Sequence, residues 1–587
     1  MQKNIYLLFA LFFGFSQLTW AQEEEEEEDK LGTQTVNVTK AYKPTISDAF
    51  KVKSVPTIKG DVALDKKPVK YSIFSVPVAS TFTPAKGKAA RVEKAKPEAL
   101  FNSSVSVGLG NYNNALLDFY TSRALNRNES LDIGLNHHSS RGDVEGTAVN
   151  NVFYDTKLGS TYTKRNRDME WNANVGFQHK LYSWYGADAI IVGTNPDEAV
   201  DEKQQYYNVE LGGEIDMDDD YLINGGSVLV RRFWDASQSG ENRAVLKGAV
   251  EIPIAEELVK FNLKADYVNG SFANADLNNT ENTAGINYSH LQVGVNPSLT
   301  MLRDDLSLNL GINLVYGLDS ESSDSNFYIY PAVTASYRLL DDVAIAYAGI
   351  EGELVQNSYY GFVEENPFVS PTLTIQPTDN QYDSYLGLRG QLLPNLSYNI
   401  KGSYTAENRK PLFNLNPENE SRNDEKAYFY GNSFEVFYDD LKTLGLFAEL
   451  NVDVNRNFTL GVNGNYYNYN TETDNPAWNL PEVEASFFLD YQIGEKWFMG
   501  ANLFYVGERK DFSQTAQPNT QPFDFPTTII TLDSFFDANA HIGHRLSDQL
   551  SIFVRASNIA NNNYQRWANF PVQGLQILGG ATFKFDL

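Results

Sequence analysis

There is no cysteine among the 587 residues. That excludes a disulfide framework, a thiolate metal site, a cysteine nucleophile and an acylated lipoprotein anchor. Basic residues are scarce: 47 Lys and Arg stand against 75 Asp and Glu, for a formal charge of −28. Nucleic acid, whose binding needs a basic footprint, is therefore excluded as a partner. Methionine is rare, with 5 residues, and past the N-terminus no window reaches 18 consecutive apolar residues. A helical membrane protein is excluded by that scarcity and by a mean hydropathy of −0.39. What the chain has instead is 34 Tyr and 36 Phe, too aromatic a composition for a disordered acidic chain.

The N-terminus reads as an export signal. Lys3 supplies a positive start, Ile5 to Phe15 an apolar core, and Thr19-Trp20-Ala21 small residues at the −3 and −1 positions before Gln22. The apolar run is too short to serve as a membrane anchor. Domain boundaries follow from composition: a signal over 1–21, a tail over 22–100 and a strand-rich body over 101–587.

The tail changes sign along its length. Glu23 to Asp29 is an acidic run, whereas residues 51–97 carry 11 basic residues against three acids, a net of +8. The basic residues include Lys51, Lys53, Lys59, Lys66, Lys67, Lys70, Lys86, Lys88 and Arg91, and prolines punctuate the stretch. The first 50 residues carry −4 and Glu98 adds −1, which leaves −31 on residues 101–587.

From about residue 103 the dominant signal is period-two alternation. Leu306, Leu308, Leu310, Ile312, Leu314 and Tyr316 interleave with Ser307, Asn309, Gly311 and Asn313. Soluble sandwiches alternate too, but these segments run to 10–14 residues. Their connections also switch between very short (Asn166–Asp168, Asp341-Asp342, Pro394-Asn395, Asn455-Arg456) and long (about 184–204, 356–380, 407–430, 508–527 and 561–573). Aromatics such as Tyr182, Trp184 and Tyr185 crowd the segment ends. Together these features predict an all-β fold, a transmembrane antiparallel β-barrel of an outer membrane, with tight periplasmic turns, external loops and a polar lumen. Twenty-two segments can be drawn, from 103–110 to 574–587. The segment 529–544 reads as one strand, and Phe434 to Asp440 is a further candidate for pairing. Outer-membrane lipid and lipopolysaccharide are the expected surroundings of a Gram-negative cell.

The C-terminal part carries a family pattern. Val506-Gly507-Glu508-Arg509, Phe553-Val554-Arg555-Ala556-Ser557-Asn558-Ile559, Asn563-Tyr564, Gly574 and the closing Gly579-Gly580-Ala581-Thr582-Phe583-Lys584-Phe585 resemble the last strands of TonB-dependent receptors. Gly574 is followed by Leu575 where that family has Arg, and the chain ends on Leu587, two residues past Phe585. The resemblance implies a 22-stranded barrel, passage of solute across the outer membrane and a TonB-type energiser. Thr35-Val36-Asn37-Val38-Thr39 resembles the energiser-binding box. It also implies a folded plug of well over a hundred residues, whereas only 79 residues (22–100) are available here. The expectation is a short, plug-poor member, similar to those of Bacteroidota-type envelopes. Its alternative is a non-transporting subunit of an envelope assembly or secretion complex.

No catalytic, metal or cofactor site is expected. His137 and His138 are adjacent and face opposite sides of a strand, and His541 and His544 likewise cannot share one ion. Asp216 to Asp220 lacks the glycine and ligand spacing of a calcium loop. No nucleophile elbow, phosphate loop or zinc-protease motif is present. A lumen this wide needs an occluder. The charge pattern points to the basic stretch 51–97 entering an acidic lumen, with the acidic run left in the periplasm; the alternative is a free periplasmic tether.

Overall fold

The computed structural model describes residues 100–587 except 143, 148–150, 187–202, 219–220, 255–256, 274–284, 418–427, 429–430 and 515–526. The signal segment, the box-like Thr35 to Thr39 and the basic residues from Lys51 to Arg91 lie outside the described residues. Alternating side chains give strands one apolar and one polar face, and the apolar faces all turn outward. Twenty-two of these strands form one sheet in which each pairs antiparallel with its neighbours. The sheet closes on itself, because Ser103–Gly110 pairs with both Ala115–Asn126 and the last strand, Gln576–Phe585. The register runs from Ser103 opposite Phe585 to Gly110 opposite Leu578. Closure satisfies the backbone of what would otherwise be two exposed edges, as lipid requires.

The predicted faces hold. Leu310, Ile312 and Tyr316 are exposed on the outside of the barrel, while Asn309 points inward, where it accepts a hydrogen bond from Thr300 Oγ1 at 3.2 Å. Near the long-loop end, an outer belt of rings crosses successive strands. Tyr154 packs edge-on to His179, His179 stacks on Tyr207, and Tyr207 stacks on Trp234, as amphipathic rings do at a membrane interface. Leu310→Arg is accordingly expected to cost roughly 2–4 kcal/mol and Asn309→Arg to be tolerated. Urea titration of the barrel refolded into vesicles checks this, and equal losses would reverse the face assignment.

The connections at one end are short, while at the other end turns such as 236–239 and 320–323 stand among the long ones. Arg303 pairs with Leu306 across a two-residue turn, and Asp304 takes φ 48° there, a left-handed backbone that Asp tolerates better than most residues.

Three expectations are corrected at the other end. The segment 529–544 is not one strand: Thr527–Leu532 pairs with Arg509–Gln514 in a separate hairpin, and Phe535–Arg545 takes the place in the barrel. Alternation continues across Asp533, so periodicity could not reveal the break. Secondly, Leu396–Leu415 and Phe434–Asn455 have 20 and 22 residues, about twice the 9–11 that a bilayer needs. Residues 410–415 and 434–439 pair above the membrane, as foreseen for Phe434 to Asp440 but not for the supposed loop beginning at 407. Thirdly, the connection 356–380 is not an external loop in water. It contains a helix, Tyr359–Glu365, and folds into the mouth of the barrel.

Candidate functional site: the external mouth

The connection 356–377 is rich in large apolar residues, which no solvated loop needs. Ser358 caps its helix, the hydroxyl accepting a hydrogen bond from the Gly361 N–H at 3.0 Å. Tyr359, Phe362 and Val363 then fall on one helical face, and all three are buried. Phe368, Val369, Leu373 and Ile375 continue the buried set beyond the helix. They pack against inward-facing rings at the upper ends of distant strands, among them Tyr206, Phe233, Phe272 and Tyr288. The ring of Tyr359 lies 4.9 Å from Phe272 and 5.2 Å from Phe233, both edge-on, a geometry that adds attraction to area burial.

Polar anchors fix the loop to the wall. The Tyr359 N–H donates to Glu241 Oε2 at 2.6 Å, and the Tyr359 hydroxyl donates to Asp235 Oδ2 at 2.7 Å. Tyr206 donates to the Pro367 carbonyl at 2.9 Å, and Lys180 pairs with Glu364. The Arg231 guanidinium lies 3.9 Å over the Tyr360 ring. His290, on an inward wall position, bonds through Nε2 to the Ile375 carbonyl at 2.9 Å. Because that partner only accepts, Nε2 carries the proton. Removal of Tyr359 from water, with the Asp235 carboxylate beside it, holds its hydroxyl well above the usual phenol range.

Other loops join the same core. Phe368 stacks on Phe570 at 3.9 Å, and Tyr185 donates to the Pro571 carbonyl at 2.9 Å. Phe570-Pro571 belongs to a small hairpin with Gln565–Trp567, inside the connection expected to be a plain loop over 561–573. Val369 forms a parallel bridge with Phe434. The Arg509 guanidinium donates to the carbonyls of Gln565 and Arg566, and burial lowers its pKa to about 10. Residues from several connections around the rim, among them Tyr185, Phe362, Leu532 and Phe570, thus meet in one apolar core at the mouth.

Asp511, in the Arg509–Gln514 hairpin, is fully buried. It accepts from the Leu415 N–H at 3.0 Å and from Asn479 Nδ2 at 2.8 Å. Burial pushes its carboxyl up to about 6 in spite of those bonds. A raised folded-state pKa means that the stabilisation is complete below the ordinary value near 4 and is lost as pH rises through about 6. Carbon NMR of the labelled carboxyl is expected to titrate near 6, and Asp511→Asn to flatten the pH dependence of hairpin unfolding between pH 4 and 7. A midpoint near 4 would contradict this.

The remaining sequence candidates stand apart from one another. His137 faces outward beside Thr156, whereas His138 contacts Asn114. Among the described residues no group of three or more His, Asp or Glu could hold a metal ion. Asp216 lines a luminal cavity of about 500 Å³ together with Glu214, Glu351, Glu353, Lys247 and Lys264. Sequence reading missed the mouth core entirely, and the one signal it offered was the apolar density of 359–375.

No protein-family model and no curated protein matches this sequence. Solved structures match the architecture. The FrpB iron transporter from Neisseria meningitidis aligns with TM-score 0.62 at 10% identity, over 83% of this chain and 82% of that one. The siderophore receptor PirA from Acinetobacter baumannii gives 0.60 at 11% identity, over 84% and 81%. The ferripyoverdine receptor of the Pseudomonas aeruginosa outer membrane gives 0.59 at 13% identity, over 84% and 73%. With its closed 22-stranded antiparallel sheet and apolar outer face, the chain has the fold of these outer-membrane receptors and transporters.

Proposed function

We propose that this barrel passes solute across the outer membrane and is closed at its external mouth by its own connection 356–377. The observation carrying this reading is the buried anchoring of Tyr359 between Asp235 and Glu241. A sheet of 22 strands encloses a space that its own wall side chains cannot fill, so a barrier must come from elsewhere. The fold neighbours are described as a transporter and receptors for iron compounds, which supports passage as the general role and none as an enzyme. Among the described residues the loop's β-bridge to a barrel strand is Val369 to Phe434, above the barrel pairings, so the loop can open without disturbing the sheet. Engagement of a TonB-type energiser through Thr35 to Thr39 fits the same reading and supplies a force for opening.

Planar-bilayer recording tests it. The purified chain is expected to be closed with rare, brief openings at neutral pH. A chain that stays silent, also after the mouth connection is shortened, and that copurifies in mild detergent in fixed stoichiometry with other envelope proteins, would replace this reading by that of a structural subunit.

A further inference from the structure

Beside the mouth core, a cavity of about 290 Å³ opens between the loop segment 374–377 and the inner wall, at the lower end of the range of small-ligand sites. Its polar lining is divided by charge: Asp319, Glu321 and Asp324 at the turn joining Leu306–Asp319 to Asp324–Leu340, and the Arg409 guanidinium. Arg409 is held there at a conformational cost. Asn408 and Arg409 together face Asp440 in a β-bulge, where the register jumps from Glu407 opposite Leu441 to Lys410 opposite Asp439. Arg409 has φ 58°, a left-handed conformation that a side chain of this size rarely adopts. Bulges re-aim side chains, and strain of this kind collects at binding sites. Bulges also interrupt the two preceding strands, at Glu351/Glu353 and Asn380/Tyr382.

The re-aimed guanidinium is under-used by the protein. It donates through Nε to the Pro377 carbonyl at 3.2 Å and through Nη2 to the Tyr328 hydroxyl at 3.5 Å. None of the ion pairs among the described residues includes it. A second observation is independent of Arg409. Gln292 is 3% exposed, yet its Nε2 has no hydrogen-bond partner, and the residue lines both this cavity and the larger luminal one. A buried amide donor without an acceptor is costly unless something else occupies its site.

We propose that this cavity binds a small zwitterion, an amino acid or a short peptide with free termini, as the solute that the barrel admits. Its carboxylate pairs with the forked donors of Arg409, a geometry suited to carboxylates. Its ammonium faces Asp319, Glu321 and Asp324, and an amide or carboxylate oxygen satisfies Gln292 Nε2. Leu354, which also lines both cavities, and Ile375 supply the apolar wall. Since Gln292 and Leu354 are common to the two spaces, the site lies where solute would leave the mouth for the lumen. The identity of the solute rests on the passage reading; the binding site does not.

Isothermal titration of the full chain in detergent tests the site, with trialanine as the probe and its N-acetylated, C-amidated form as the control. Trialanine is expected to bind and the capped peptide not to. Arg409→Gln should weaken trialanine binding at least tenfold. Arg409→Gly should do the same while relieving the backbone strain, so that loss of binding cannot be ascribed to misfolding. Gln292→Leu should weaken binding of the free peptide severalfold. Equal heats for free and capped peptide, or unchanged affinity in both Arg409 variants, would overturn the proposal. Peptide uptake into proteoliposomes and bilayer recording separate the two readings: binding with neither uptake nor any opening, also after the mouth connection is shortened, refutes passage alone, and uptake with unchanged rates in the Arg409 variants refutes the site alone.

Discussion

Replacing residues 356–377 by a short Gly-Ser link is expected to turn a closed barrel into a permanently conducting one. The chain from Ala344–Val355 would then cross directly to Thr378–Leu393, its partner in the sheet, so the barrel itself loses no pairing. What is lost is the apolar floor made by Tyr359, Phe362, Val363, Phe368 and Leu373. Barrels of 16 or more strands without an occluder hold an aqueous channel, so conductance should rise by on the order of tenfold or more. The measurement is single-channel recording of the full chain and of a form lacking residues 22–97, each with and without the link. Large conductance in the linked full chain identifies the mouth connection as the barrier. If only the doubly altered form conducts, the basic stretch 51–97 closes the pore as well, as its +8 charge led us to expect from sequence. A closed pore in all four would refute closure by either segment.

Tyr359→Ala should have the largest effect of any single substitution at the mouth. It empties a site enclosed by Phe272, Phe233 and Tyr206, and removal of a buried aromatic costs roughly 3–5 kcal/mol. It also takes from Asp235 the hydroxyl that donates at 2.7 Å, leaving Gln204, the Ser239 N–H and the Ser237 backbone among its partners. The cost falls on the mouth connection and not on the sheet, because no barrel strand loses a backbone bond. The Phe362 and Asn366 amides, which close the helix on Ser358 and Phe362, should lose most of their hydrogen-exchange protection while strand amides keep theirs. Openings in bilayer recording should become frequent. Tyr359→Phe keeps the ring and removes only the hydroxyl, so about 1–3 kcal/mol is expected. Uniform loss of protection over mouth and strands would mean that the loop supports the whole barrel and is no gate.

Both experiments address the part of the molecule that sequence reading described least well. Strand positions and the outward face of Leu310 were legible because each is encoded locally. A side chain's side of a strand follows from parity alone, and lipid outside and water inside make parity visible in the order of residues. The same locality explains the misreading of 529–544, where parity persists through a turn. It also explains the shortfall over 407–415, whose pairing with 434–441 extends above the membrane, where no lipid imposes an apolar face.

Sequence by itself therefore determined the class of the protein, a closed antiparallel barrel of twenty-two strands whose apolar side faces lipid. Only the tertiary structure decided which residues meet at its mouth. Tyr359 meets Asp235 and Glu241, Phe368 meets Phe570, and Arg409 meets Pro377 and Tyr328, pairs drawn from strands and loops far apart along the chain. No period records such pairs. They come about because closing the sheet carries the loop ends onto one rim, where residues with no strand to bury them bury one another.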